Sequence, residues 1–324
     1  MERHRPTGRT GLGIALAGTT TLLWGVLPHL LEGALEVLDP VTLTGVRFAI
    51  SAGLLGALLA MRGALPRRAA FRAPAPALLV AAVLGLSANY LGYVVGLDLT
   101  SPATAQVLIQ LAPLLLALGS LRVFGERFTA GQWLGFAVLV AGLLLFTASQ
   151  LRELAEEAVR YARGAGVLFL AALTWAGYGL AQKQLLLRMG SAQVMLCLYA
   201  GCAALFLPAS ELGALRDLDA LHASVVILCG LNTLLAYGAF AAALEHWEAS
   251  RVSAVLALTP VATVALGAVL AVLLPGRIRA EHLSAASLLG ATLVVGGSIA
   301  TSLAGDPRRR DAPFGSGDSA QEAP

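Results

Sequence analysis

Apolar residues run along most of this chain in long blocks, interrupted at intervals by short polar or basic stretches. Ten blocks stand out: 11–32, 40–61, 74–97, 102–123, 129–148, 164–187, 191–209, 220–244, 250–274 and 283–304. A helix needs roughly 20 apolar residues to cross a hydrocarbon layer about 30 Å thick, because each residue rises about 1.5 Å. Blocks of this length therefore predict spanning helices. Membrane strands would be about ten residues long with alternating polar positions, and no such alternation occurs. The first block follows a basic N-terminus, but it is too long for a signal-peptide core and lacks a clear A-x-A cleavage site. The expectation is an all-α membrane protein with ten transmembrane helices.

Composition agrees. The chain of 324 residues is 57% hydrophobic and only 13% charged, about half the charge of a soluble domain. Its mean hydropathy is +0.78. The net charge of +3 comes from residues between the apolar blocks, so it carries no nucleic-acid signature. Cys197, Cys202 and Cys229 lie inside apolar runs and read as small packed side chains, without a metal site or a disulfide framework.

Basic residues in the loops set the expected orientation. With a cytoplasmic N-terminus, the inner segments hold Arg3, Arg5, Arg9, Arg62, Arg67, Arg68, Arg72, Arg122, Arg127, Lys183, Arg188, Arg251, Arg308, Arg309 and Arg310. The outer loops hold the sparser set Arg152, Arg160, Arg163, Arg216, Arg277 and Arg279. Both termini are thus expected in the cytoplasm. Between the fifth and sixth blocks, Leu151, Leu154, Ala155, Ala158, Val159 and Ala162 fall on one helical face, which predicts a short amphipathic helix at the outer surface. The tail from Gly305 to Pro324 is rich in Gly, Pro, Ser and charge and is expected to be disordered.

The chain repeats itself. Tyr90 to Pro113, YLGYVVGLDLTSPATAQVLIQLAP, aligns without a gap with Tyr237 to Pro260, YGAFAAALEHWEASRVSAVLALTP. Glu126 to Gly142 likewise resembles Glu281 to Gly297, and Trp24 and Trp175 occupy equivalent places in the first and sixth blocks. Each half has five helices. An odd number inverts the second half relative to the first, which predicts two inverted five-helix repeats.

Family features follow this order. They are Trp24-Gly25 with Pro28, Asp39-Pro40 followed by Arg47-Phe48, Ser101-Pro102-Ala103, Ala112-Pro113, Gly125-Glu126-Arg127 with Gly135, and Thr259-Pro260. With them the chain, over about 11–304, resembles the EamA type of the drug/metabolite transporter superfamily. The second half departs from that pattern, with Ala280-Glu281 after an insertion where Gly-Glu is expected. The resemblance implies export or exchange of small metabolites, amino acids or drugs. It divides the chain into a cytoplasmic N-terminus (1–10), a first repeat (11–148), an amphipathic linker (149–163), a second repeat (164–304) and a cytoplasmic tail (305–324).

Candidate site residues are the polar and aromatic positions inside the blocks. Arg47 is the one clear intramembrane charge, seven residues into the second block. It is expected either to meet an anionic solute or to pair with Glu32, Glu36 or Asp39. Trp24 shares a face of the first helix with Thr20, Thr21 and Pro28, and Trp175, Tyr178 and Gln182 share a face of the sixth. Gln106 and Gln110 are one turn apart ahead of Pro113; Asn89 and Tyr90 lie in the third block, and Asn232 and Tyr237 in the eighth. Each alone is as well explained by helix–helix bonding or interface anchoring. As a set they could line a solute cavity. His29 is the candidate for titration, and Pro113 and Pro260 for gating kinks. Gly92/Gly96 and Gly131/Gly135 read as close-packing pairs, and Thr129 and Ser284 as helix caps.

Enzyme chemistry has no foothold. The five histidines are scattered and the sole lysine, Lys183, is outside any G-x-x-x-x-G-K-[ST] loop. No cofactor, metal or nucleic-acid partner is expected. The expected partners are a small-molecule solute and membrane lipids, and a homodimer is compatible with the sequence. The favoured reading is a secondary transporter of the cytoplasmic membrane. Its rivals are a flippase for a lipid-linked substrate and a non-transporting regulatory subunit.

Overall fold

A computed structural model describes residues 9–72, 75–123, 128–153, 157–247, 252, 255–274 and 283–304. Among these residues all regular structure is helical. The first half holds α1 (Thr10–Leu35), α2 (Pro40–Met61), α3 (Ala75–Asp98), α4 (Pro102–Ile109), α5 (Leu111–Val123) and α6 (Ala130–Glu153). The second holds α7 (Ala158–Leu185), α8 (Ser191–Phe206), α9 (Ala220–His246), α10 (Thr259–Leu273) and α11 (Ala285–Leu303). Among the described residues eight helices are long and apolar enough to cross a membrane, and two shorter apolar stretches, Pro102–Leu116 and Thr259–Leu273, accompany them.

Helix starts follow side-chain chemistry. Asp39 caps α2 by accepting from Val41 N at 2.8 Å and Thr42 N at 3.0 Å, and Pro40 sits where a missing N–H costs nothing. Ser101 followed by Pro102 does the same for α4, and Asp219 for α9. Thr129 and Gln132 exchange reciprocal bonds at the start of α6, and Ser284 caps α11. Glu126 and Glu281 lie outside the described residues.

Two elements differ from expectation. The fourth block does not form one helix: it breaks at Gln110 between α4 and α5. The ninth block shows a matching turn at Ala257 and Leu258 before α10. Proline explains both. Its ring displaces the carbonyl four residues back and leaves it without an amide donor. For Pro113 that carbonyl belongs to Ile109, and for Pro260 to Leu256. The Leu256 carbonyl is taken up instead by the Thr259 hydroxyl. The second difference concerns the linker. Gln150 to Glu153 continue α6, and Ala158 to Arg163 open α7, so the described linker residues extend the spanning helices. The tail from Gly305 lies outside the described residues.

Helices pack in corresponding pairs. α3 runs along α7 and α1 along α9; α5 rests on α7 and α1 on α10; α6 lies along α11 and α2 against α8. Small residues let the backbones approach. A Cβ on Gly96 would come 2.5 Å from Leu168 Cγ, and one on Gly92 3.1 Å from Ala171 Cβ. At the α6–α11 seam a Cβ on Gly135 would meet Thr301 N at 2.5 Å, and one on Gly297 would meet Leu139 N at 2.4 Å. Leu22, Val80, Leu84, Leu134, Leu144, Leu170 and Leu235 are exposed on the outside of the bundle, where lipid tails solvate them as well as protein would.

Candidate functional site

Arg47 lies about 10 Å along α2 from Pro40, at 1.5 Å per residue. It is only 2% exposed. Its Nη2 donates to Thr233 Oγ1 on α9 at 3.1 Å, and its Cζ stands 5.3 Å from the centre of the Tyr90 ring on α3. Thr233 in turn donates to the Cys229 carbonyl at 2.9 Å. Among the described residues Arg47 forms no ion pair. Glu36 lies instead 3.7 Å from His222 Nε2, and Asp39 is engaged as a helix cap. A buried guanidinium with no anion beside it is costly, which makes Arg47 the centre of the candidate site.

An aromatic box adjoins this charge. Trp24 meets Tyr237 edge-on at 5.5 Å and Phe240 at 5.8 Å. Tyr237 meets Tyr199 at 6.5 Å, and Phe48 meets Tyr90 at 4.6 Å and Tyr199 at 6.0 Å. Trp175 meets Tyr178 at 6.1 Å. Tyr90 and Trp175 both lie within interaction range of the Tyr237 hydroxyl. Helices α1, α2, α3, α7, α8 and α9 each contribute, so both halves of the chain build one box.

The amides behave differently. Asn89 Nδ2 donates to the Ala171 carbonyl at 2.8 Å, Gln106 Nε2 to Trp24 at 2.7 Å, Gln110 Nε2 to Ala257 at 3.0 Å and Asn232 Nδ2 to Leu23 at 2.6 Å. Each tethers one helix to the backbone of another, and that ties up its donor side. Gln182 points at Met195 Sδ, 3.5 Å away, beside the Tyr178 hydroxyl. His29 Nε2 is 2.9 Å from the Thr263 carbonyl on α10, so that nitrogen carries the proton. Its Nδ1 is buried without a partner, and the ring fills the space over Gly267. Pro260 is buried in α10 and Pro113 exposed on α5.

Of the residues proposed from sequence, the structure thus gathers Trp24, Arg47, Tyr90, Trp175, Tyr178 and Tyr237 into one cluster. It places the four tethering amides, His29 and the prolines at helix contacts and breaks. Phe48, Tyr199, Thr233 and Phe240 complete the cluster and were not singled out. The sequence marks Phe48 only as Arg47's neighbour, and Thr233 is one threonine among many in apolar runs.

A sequence profile of the EamA-like transporter family matches residues 11–148 and 162–303. The chain is 35% identical over 292 residues to the uncharacterized inner membrane transporter YhbE of Escherichia coli (strain K12), covering 90% of this chain and 91% of that one. It is 34% identical to an uncharacterized transporter of Haemophilus influenzae, over 90% of this chain and 95% of the other. A crystal structure with 23% sequence identity superposes with a TM-score of 0.60 over 95% of this chain and all of its own, which supports the fold. Two profile matches in tandem, two transporter relatives spanning nearly the whole length and the apolar helical bundle agree: this chain belongs to the EamA-like transporter family.

Proposed function

We propose that this protein is a secondary carrier that moves a small organic solute across the cytoplasmic membrane by alternating access, outward from the cytoplasm. The box beside Arg47 is its binding site. The observation that carries the reading is that both halves contribute to a cluster of aromatic rings beside a positive charge that has no ion-pair partner among the described residues.

An inverted arrangement of the two halves would supply the mechanism. Positions 147 apart correspond in the gapless repeat, and Gln110 bonds to Ala257, its own counterpart, at the two helix breaks. Tyr90 and Tyr237, also counterparts, lie within interaction range of each other. The pairing of α3 with α7 mirrors that of α1 with α9, and α5 with α7 mirrors α1 with α10. Contacts of this kind are expected along a pseudo-two-fold axis in the membrane plane. Two near-equivalent halves in opposite orientation have two near-equivalent packings, one open to each side. The distribution of basic residues among the loops favours cytoplasmic termini.

Counterflow in proteoliposomes tests this. Purified protein loaded with one member of a panel of amino acids, organic acids, nucleobases and cationic dyes should accumulate the labelled form of at least one class. Tyr237→Ala, which opens the box, should abolish that uptake while the protein stays folded. A folded wild type that exchanges no solute contradicts the reading and favours a lipid-directed or regulatory role.

A further inference from the structure

Arg47 has polar neighbours that the aromatic box does not use. Its Nε–H has no hydrogen-bond partner among the described residues. Thr44, three residues earlier on α2, is fully buried and its hydroxyl is equally without a partner. Tyr93, three residues beyond Tyr90 on α3, has a shielded hydroxyl with no partner, within electrostatic range of Arg47. Residues three apart on a helix stand with Cβ atoms about 5–6 Å apart on one face. α2 and α3 are antiparallel neighbours, so the start of α2 and the end of α3 lie at one end of the bundle. Thr44 and Tyr93 are therefore both displaced from the Arg47–Tyr90 layer toward that end.

Buried polar groups are nearly always hydrogen-bonded, and three orphans on the neighbouring helices α2 and α3 point to a partner that the described residues do not supply. All three can donate: one guanidinium N–H and two hydroxyls. The local charge is a single +1, with no described carboxylate paired to it. The complement is one negative charge spread over two acceptor oxygens. A carboxylate fits this description and meets guanidinium in planar geometry. A phosphate monoester, at about −2, would leave a negative charge buried. An ammonium group would add a second positive one. α8, the counterpart of α2, carries no charged residue between Ser191 and Phe206, so the cradle belongs to one half alone.

We propose that Arg47, Thr44 and Tyr93 form a carboxylate cradle, and that the solute is an organic monocarboxylate whose flat apolar body lies against Tyr90, Trp24 and Tyr237. The substrate class rests on the carrier reading; the binding site itself does not. Rings of the box accept such a body edge-on or face-on.

Tryptophan fluorescence of the full-length chain in detergent gives a direct readout, because Trp24 and Trp175 belong to the box. Titration with benzoate, benzyl alcohol, benzylamine and phenyl phosphate compares one body under four charges. Benzoate should bind saturably and most tightly. Thr44→Val and Tyr93→Phe remove one hydroxyl each with little change of shape. Each should weaken benzoate roughly tenfold, the loss of one hydrogen bond to a charged group, and leave benzyl alcohol unchanged. The melting temperature verifies that both variants are folded. No benzoate binding, an equal or tighter affinity for any of the other three probes, or variants indifferent to benzoate would overturn the cradle. Counterflow separates the two claims. Benzoate binding sensitive to both variants without any solute exchange sinks the carrier and leaves the cradle standing. Exchange of solutes without preference for carboxylates does the reverse.

Discussion

At the scale of single residues, the proposed site makes Arg47 a trade of stability for function. Replacing a buried ion pair with apolar side chains of similar volume often stabilises a protein by about 1–4 kcal/mol, and a lone buried charge has no Coulombic partner to lose. Arg47→Leu should therefore raise the melting temperature while eliminating anion exchange, and thermal unfolding in detergent beside counterflow measures both. A fall in melting temperature would mean that Arg47 is a structural tie. Thr233 keeps its bond to the Cys229 carbonyl in that variant, so no new buried hydroxyl is left without a partner. Asp39 behaves in the opposite way. Partial burial pushes its carboxyl up, but hydrogen bonds from Thr42 and Val41 outweigh this and hold it below its ordinary value. A depressed carboxylate stabilises the fold above its ordinary titration range and loses that contribution as pH falls through the lowered value. Asp39→Ala should cost about 1 kcal/mol at neutral pH, a difference from wild type that shrinks in strong acid. Arg47 was legible in the sequence because a charge inside an apolar block is rare. Thr44 and Tyr93 were not, since only three-dimensional neighbours reveal a hydroxyl without a partner.

At the scale of elements, length and apolarity marked the helices well, and α2 spans 40–61 as expected. Asp39-Pro40 explains why its start was so readable: cap and first-turn proline are adjacent in sequence. The breaks were less visible. Pro113 and Pro260 signalled kinks, but not that Gln110 would bridge them by bonding to Ala257, which requires both halves to be assembled. If these breaks are hinges, Pro113→Ala with Pro260→Ala restores the helical hydrogen bonds and should slow exchange severalfold while fluorescence titration shows unchanged ligand affinity. Equal losses of both would make the breaks part of the binding site. The α6–α11 seam is a rigid counterpart. Gly297→Val places a branched side chain where even a Cβ would meet Leu139 N at 2.4 Å and Gly135 O at 2.7 Å. Overpacking of this kind costs about 1–3 kcal/mol or more, which thermal unfolding would register.

At the scale of the whole molecule, the repeat was legible because the two copies share a proline, a tyrosine and glycines in register. The box was legible only in part. Rings on six helices converge on it, and single-helix spacing cannot tell an inward aromatic from one anchored at the membrane surface. The central claim is that this box opens to each side of the membrane in turn. Thr233, beside Arg47, is the place to test it. With Cys197, Cys202 and Cys229 replaced by alanine, Thr233→Cys carries the one thiol. An anionic, membrane-impermeant thiol reagent is then added to either face of proteoliposomes of defined orientation. Alternating access predicts modification from both faces, with a transported solute slowing each. Modification from one face alone, whatever solute is present, would contradict it.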